Sequence, residues 1–97
     1  MTQYDWRRRF PAEYERLSKE DQDAFQAAIK RFVAGLREER APDPNLGIRQ
    51  MTDHPGIYEF HFSGRGRATF HYRTEERGKD ASVTWRRIGG HEIYKQP

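Results

Sequence analysis

From Gly56 to Tyr94 the sequence runs GIYEFHF, a Ser-Gly-Arg-Gly tip, RATFHY, a charged connection and then VTWRRIGGHEIY. Tyr58, Phe60 and Phe62 alternate with Glu59 and His61, the period of a strand with one buried face. Ser63-Gly64-Arg65-Gly66 supplies turn residues, and Ala68, Phe70 and Tyr72 resume the alternation on the return. The pattern predicts an antiparallel hairpin whose polar face carries Glu59, His61, Arg67, Thr69, His71 and Arg73. Two imidazoles, a carboxylate and two guanidiniums on one face exceed what solubility needs. A further strand, Ala81 to Ile88, then delivers His91 and Tyr94. In that strand Val83 and Trp85 fall on one side and Thr84, Arg86 and Ile88 on the other. Apolar residues on both sides leave the faces of Trp85 and Arg87 open.

The apolar side of such a hairpin needs a partner, and the first half of the chain provides one. Phe25, Ala28, Ile29, Phe32, Val33 and Leu36 recur at helical spacing, with Lys19, Asp23, Gln26, Lys30 and Arg37 opposite. Ser18 three residues before Asp21 reads as the N-cap of this helix, which extends to about Glu39. A shorter helix precedes it, starting near Phe10 or Pro11 because proline suits a first turn, and running to Leu17 with Phe10, Tyr14 and Leu17 as its stripe. Residues 2–9 read equally as an edge strand (Tyr4, Trp6) or as the start of that helix. Ala41-Pro42-Asp43-Pro44-Asn45 is a loop, Leu46 to Met51 a strand, Thr52 to Gly56 a turn, and Thr74 to Asp80 a charged connection. The expected fold is α+β: one domain over residues 1–97, an N-terminal helical hairpin on one face of a small twisted, mainly antiparallel four-stranded sheet. The other sheet face is expected to be open.

Mean hydropathy is −1.16, and 34% of residues are charged. Disorder is the first alternative. Six phenylalanines, five tyrosines and two tryptophans in periodic segments argue against it. The chain lacks cysteine and any apolar run of membrane length or leader-like start, which fits a soluble cytoplasmic protein with no membrane partner. Net charge is +3, unevenly spread: acids gather at 13–23 and 38–43, arginines at Arg7–Arg9 and in the hairpin. Such a surface fits a polyanion, most simply nucleic acid.

The ordered set EYERL, LGIRQM, PGIYEFHF, GRATFHY and VTWRRIGGHEIY resembles the RelE/ParE superfamily of bacterial type II toxin–antitoxin toxins over nearly the whole chain. The resemblance implies a RelE-like fold. For RelE-type members it implies a messenger-RNA endonuclease that works in the ribosomal A site, inhibits translation and is neutralised by a cognate antitoxin. Arg67 matches the arginine that holds the scissile phosphate. His61 matches a position of catalytic lysine or, in YafQ-like members, histidine. His91 matches a position held by arginine in RelE and by histidine in YoeB- and YafQ-like members. Tyr94 resembles the aromatic near the C-terminus of these toxins. Glu59 stands where RelE has lysine, and Leu46 where YoeB-like members carry glutamate, so the resemblance implies a histidine-based chemistry.

RNA cleavage without a metal needs a base, an acid and cationic donors for phosphorane-like charge. Histidine titrates near neutrality and arginine is a fixed bidentate donor. His61, Arg67, His91 and Tyr94 are therefore the candidate catalytic residues. Arg65, Arg73, Arg86, Arg87, His71 and Glu59 are candidate RNA contacts. The bland alternatives are strand histidines paired to Glu59, solvated arginines, and packing roles for Trp85 and Tyr94. No spacing supports a zinc site and no Gly-rich loop a nucleotide, so no cofactor or metal is expected. The rival functions are a ParE-like topoisomerase inhibitor without catalysis, and a solitary toxin-like domain that binds RNA or protein.

Overall fold

The computed structural model describes residues 3–73 and 81–97, so the connection read across 74–80 lies outside the described residues. Strand β1 (Gln3–Trp6) leads into two helices, α1 (Phe10–Glu15) and α2 (Lys19–Arg37). Strands β2 (Arg49–Gln50), β3 (Tyr58–His61), β4 (Arg67–Tyr72) and β5 (Ser82–Gly89) follow. The sheet has five strands in the order β1-β5-β4-β3-β2, not four. The extra strand is the ambiguous N-terminal segment, which pairs in parallel with β5, Tyr4 opposite Val83 and Trp6 opposite Trp85. Pro11 decides the outcome: it sits in the first turn of α1, so the helix cannot take in Tyr4 and Trp6. All other pairings are antiparallel.

The local signals explain most boundaries. The Ser18 hydroxyl accepts from the Asp21 amide at 3.1 Å and caps α2, while Glu20 and Asp21 place negative charge in its first turn. The predicted strand Leu46–Met51 shrinks to Arg49–Gln50, because Pro44–Leu46 winds into a 3-10 turn closed by Gly47 at φ 56°. The Asp43 carboxylate caps that turn by accepting from the Asn45 amide at 2.9 Å, a competing use of the backbone that a strand reading does not weigh.

The core forms where the two apolar sets meet. Phe25, Ala28, Ile29 and Phe32 of α2 pack on Phe60, Phe62, Ala68, Phe70, Val83, Trp85 and Ile88, with Tyr58 and Tyr72 at its margin. A bulge explains how Val83, Trp85 and Ile88 share one face despite their spacing. Thr69 pairs with Arg87 and Phe70 with Trp85, so Arg86 is an extra residue that reverses the parity of β5.

The opposite face is not open. A 3-10 turn, His91–Lys95, folds back against β4 and β5 and buries Ile93 there. Glu59 and Thr69, read as exposed, are buried at 6% and 0% exposure. Gly89 makes room for the fold-back: a Cβ there would lie 3.2 Å from Ile93.

Phe32 contacts the rings of Phe60, Phe70 and Trp85. Phe32→Ala is expected to lower stability by about 3–5 kcal/mol, read as a shift of the urea midpoint at unchanged m-value.

Candidate active site

β3 and β4 place His61 directly opposite Arg67. On the helix-free face of this pair, β3 also carries Glu59, and β2 brings Arg49 opposite it. The Glu59 carboxylate lies 3.0 Å from His61 Nε2 and accepts from Arg49 Nε at 3.1 Å. Glu59, read from the sequence as an RNA contact, is thus a buried carboxylate held between a guanidinium and an imidazole. Gly47 supports the other side of the ring: a Cβ there would come within 2.7 Å of His61 Cγ and Nδ1.

Arg67 is fixed differently. Its Nη1 donates to the carbonyls of Ser63 and Gly66 at 3.1 and 2.9 Å, so the hairpin tip anchors one amino group. Among the described residues the Nε–Nη2 edge of the guanidinium carries no hydrogen bond, and that edge can grip two phosphate oxygens.

The C-terminal turn adds Tyr94 and His91. Tyr94 feels Glu59, Arg67 and Arg49, and its hydroxyl is buried without a hydrogen-bond partner. Burial, then the nearby Glu59 carboxylate, push its pKa up to about 12, so the phenol stays protonated and can only donate to an anion. His91 is exposed and its ring meets the Tyr94 ring edge-on at 4.9 Å. All four residues read as catalytic therefore gather at one end of one sheet face. Arg49 was missed. The signal for it was the charge opposite Glu59, visible only once β2 is paired with β3.

The residues read as RNA contacts divide. Arg87 is committed to Glu13 of α1 (Nη2 to Oε2 2.6 Å), which also accepts the Ile88 amide. β1 ends opposite Trp85, so Glu13 satisfies a β5 edge that has no strand beside it. Arg73 pairs with Asp5 at 3.4 Å. Arg65 is exposed at the hairpin tip. His71 and Arg86 meet at the far end of the face, Arg86 Nη1 donating to His71 Nδ1 at 3.0 Å. Burial, then the Arg86 and Arg7 charges, hold the His71 pKa below its ordinary value. No group of three or more histidine, aspartate or glutamate side chains among the described residues is placed to hold a metal ion.

No protein-family model matches the sequence, and no curated protein matches it. Solved structures do. A chain of the RelB–RelE antitoxin–toxin complex from Methanococcus jannaschii superposes with a TM-score of 0.66 at 12% identity, over 95% of this chain and 98% of its own. A chain of the E. coli DinJ–YafQ toxin–antitoxin complex gives 0.65 at 11% identity, over 93% and 92%. This chain has the RelE/YafQ toxin fold. A copper-bound mutant toxin from Helicobacter pylori gives 0.66 at 17%, over 95% and 97%. Identities this low show a shared fold with few side chains in common. Among the described residues, no helix of this RelE/YafQ-like chain is long and apolar enough to cross a membrane.

Tyr94→Phe removes a buried hydroxyl that nothing satisfies, and is expected to raise stability by about 1–3 kcal/mol while lowering any activity of the site. The phenol's raised pKa also sets a pH window. Stability from neutral Tyr94 is intact below pH 10, where the unfolded phenol ionises, and is lost as pH rises toward about 12. Absorbance titration should show a tyrosine phase near pH 12 that is missing from Tyr94→Phe.

Proposed function

We propose that this chain is the toxin of a type II toxin–antitoxin system and a ribosome-dependent messenger-RNA endonuclease that needs no metal. The observation that carries the reading is the cross-strand pair His61–Arg67 with Tyr94 and His91 folded onto the same end of the face. Packing alone gives no reason to collect two imidazoles, a protonated phenol and a guanidinium whose bidentate edge carries no hydrogen bond among the described residues.

In the proposed reaction the 2′-hydroxyl of one nucleotide attacks the adjoining phosphorus, and the bond to the 5′-oxygen breaks. His61 takes the 2′-proton, since the Glu59 carboxylate at Nε2 orients the ring and stabilises the imidazolium that forms. His91, exposed at the rim, returns a proton to the leaving 5′-oxygen. The products are a 2′,3′-cyclic phosphate and a 5′-hydroxyl. The Arg67 Nε–Nη2 edge and the Tyr94 hydroxyl donate to the non-bridging oxygens as charge builds. The Tyr94 hydroxyl is buried before substrate arrives, so the C-terminal turn must shift to admit the phosphate. Ribosome-bound message is expected to drive that shift, and free RNA to be cut slowly.

The reading is tested by primer extension on message in a reconstituted translation mixture with chelator present. Arg67→Ala is expected to lose about 10²–10³-fold in rate. His61→Ala and His91→Ala should each lose about 10²–10⁴-fold. No cleavage by the wild type, together with inhibition of a topoisomerase, would overturn the reading in favour of a ParE-like inhibitor.

A toxin of this kind requires an antitoxin. We place its docking at the β1 edge, where Tyr4 and Trp6 are 45% and 54% exposed and, with Phe10, Tyr14, Phe25 and Ile29, line a groove of about 350 Å³. An extended peptide could add to the free edge of β1 and fill the groove. Trp6→Ala is expected to weaken capture of the neighbouring reading frame's product at least tenfold in titration calorimetry. Unchanged affinity would move the docking site elsewhere.

A further inference from the structure

A second basic site lies away from the four catalytic candidates. The loop between β1 and α1 and the bulge of β5 enclose a cleft of about 410 Å³ walled by Arg7, Arg8, Arg9, Arg86 and Arg87. Arg87 is neutralised by Glu13. Asp5 is taken by Arg73 and by the Thr84 hydroxyl, which donates to it at 2.9 Å. Among the described residues no aspartate or glutamate side chain pairs with Arg7, Arg8, Arg9 or Arg86; Arg86 reaches His71 and a main-chain oxygen of Pro97, which with Gln96 also lines the cleft. Like charges held close together repel. Burial and the Arg7 charge both weaken the hold of Arg86 on its proton.

We propose that this cleft binds the phosphodiester backbone of RNA, at a point several nucleotides from the phosphate held by Arg67. The inference rests on the nuclease reading for the identity of the polymer; the anion chemistry stands on the cleft itself. Guanidinium forks match phosphate oxygens two by two. An acidic peptide fits less well, because the cleft offers it no free strand edge to pair with. The Trp85 carbonyl already accepts from the Arg7 amide at 2.8 Å, and the Ile88 amide is held by Glu13. The two sites are in register along β4: His71, which touches Arg86, lies four residues beyond Arg67, or roughly 13 Å by the rise of a strand. A single strand laid along this face would reach both, with Arg67 at the reacting phosphate and the cleft holding the backbone to one side.

The test uses a fluorescein-labelled 2′-O-methyl oligoribonucleotide, which lacks the attacking hydroxyl and cannot be cut. Binding is followed by anisotropy over a salt series. Replacing Arg7, Arg8 and Arg9 together by alanine is expected to weaken binding at least tenfold and to flatten the salt slope by about 0.7 for each phosphate left without its arginine. The milder pair R8A and R9A, and separately Arg86→Lys, should move in the same direction, which keeps the test valid if the triple variant folds poorly. The control replaces Arg31, Arg37 and Arg40 of the α2 region by alanine, the same change in net charge, and should leave the slope unchanged. The His71 ring signal should titrate at higher pH once the oligonucleotide is bound, since its phosphates offset Arg86, Arg7 and Arg73, which face His71 along with Asp5. Equal losses in the control, or full binding by the cleft variants, would overturn the proposal. So would a polyglutamate chain that binds the cleft more tightly than the oligonucleotide. Message cleavage that needs Arg67 alongside unaltered binding by the cleft variants would refute this inference alone. Absent cleavage with a slope that still depends on Arg7–Arg9 would refute the nuclease reading and leave the cleft.

Discussion

The Trp85 indole lies against five other rings, those of Phe10, Phe25, Phe32, Phe60 and Phe70, at centroid distances between 5.0 and 6.4 Å. These partners come from α1, α2, β3 and β4, so one side chain ties both helices to the centre of the sheet. Its Nε1 is buried without a partner, a penalty of about 1–3 kcal/mol. Burying a ring of this size removes roughly 150–250 Å² from water, worth about 4–6 kcal/mol at 25 cal/mol per Å². The apolar gain exceeds the orphaned donor, so the indole stays inside. The bulge at Arg86 follows from that preference. It lets Trp85 and Ile88 face the same core while the polar residues between them reach the sheet edge and the opposite face.

The opposite face is organised by a smaller set of polar constraints. Glu59 is buried, and its charge is tolerable because Arg49 and His61 both meet it. That arrangement fixes the His61 ring against Gly47, where a left-handed backbone and the lack of a Cβ are both required. Arg67 is held by carbonyls of its own hairpin tip, so its position depends on the turn and not on a carboxylate that would compete with phosphate. The C-terminal turn closes this end with Tyr94 and His91. Across the same face, the arginines of the first loop have no aspartate or glutamate partner among the described residues. One sheet face therefore has one end where a carboxylate and a hairpin tip fix the cationic groups, and another where arginines gather.

Much of this was legible in the residues. Period-2 alternation from Tyr58 to Tyr72 and the helical stripe from Phe25 to Leu36 gave the hairpin, the long helix and the core between them. Ser18 gave the cap. His61 and Arg67 could be placed on one polar face because the period-2 alternation runs through both strands of the hairpin; that they stand directly opposite one another is set by the turn. What stayed hidden depended on contacts distant in sequence. Strand β1 is defined by its partner 79 residues away, the Arg86 bulge by the competition between Trp85 and Ile88 for one core, and Arg49 by the burial of Glu59. The fold-back of the last residues was hidden for another reason. His-Glu-Ile-Tyr-Lys has only one residue, Ile93, that buries fully, and one buried side chain leaves no period to read.

The parallel pairing of β1 with β5 carries a consequence for the order of events during synthesis. Parallel strands need a long crossover, and here nearly the entire chain is the crossover, with Asp5 waiting for Thr84. β1 emerges first yet cannot bond until β5 has been made, and His91 and Tyr94 emerge later still. Closing so long a loop is slow relative to forming the helices and the β3–β4 hairpin. The nascent chain can therefore carry a finished hairpin with His61 and Arg67 in place while the other half of the site is absent. Whatever this site does, it does only after the last strand has threaded between the first and the fourth.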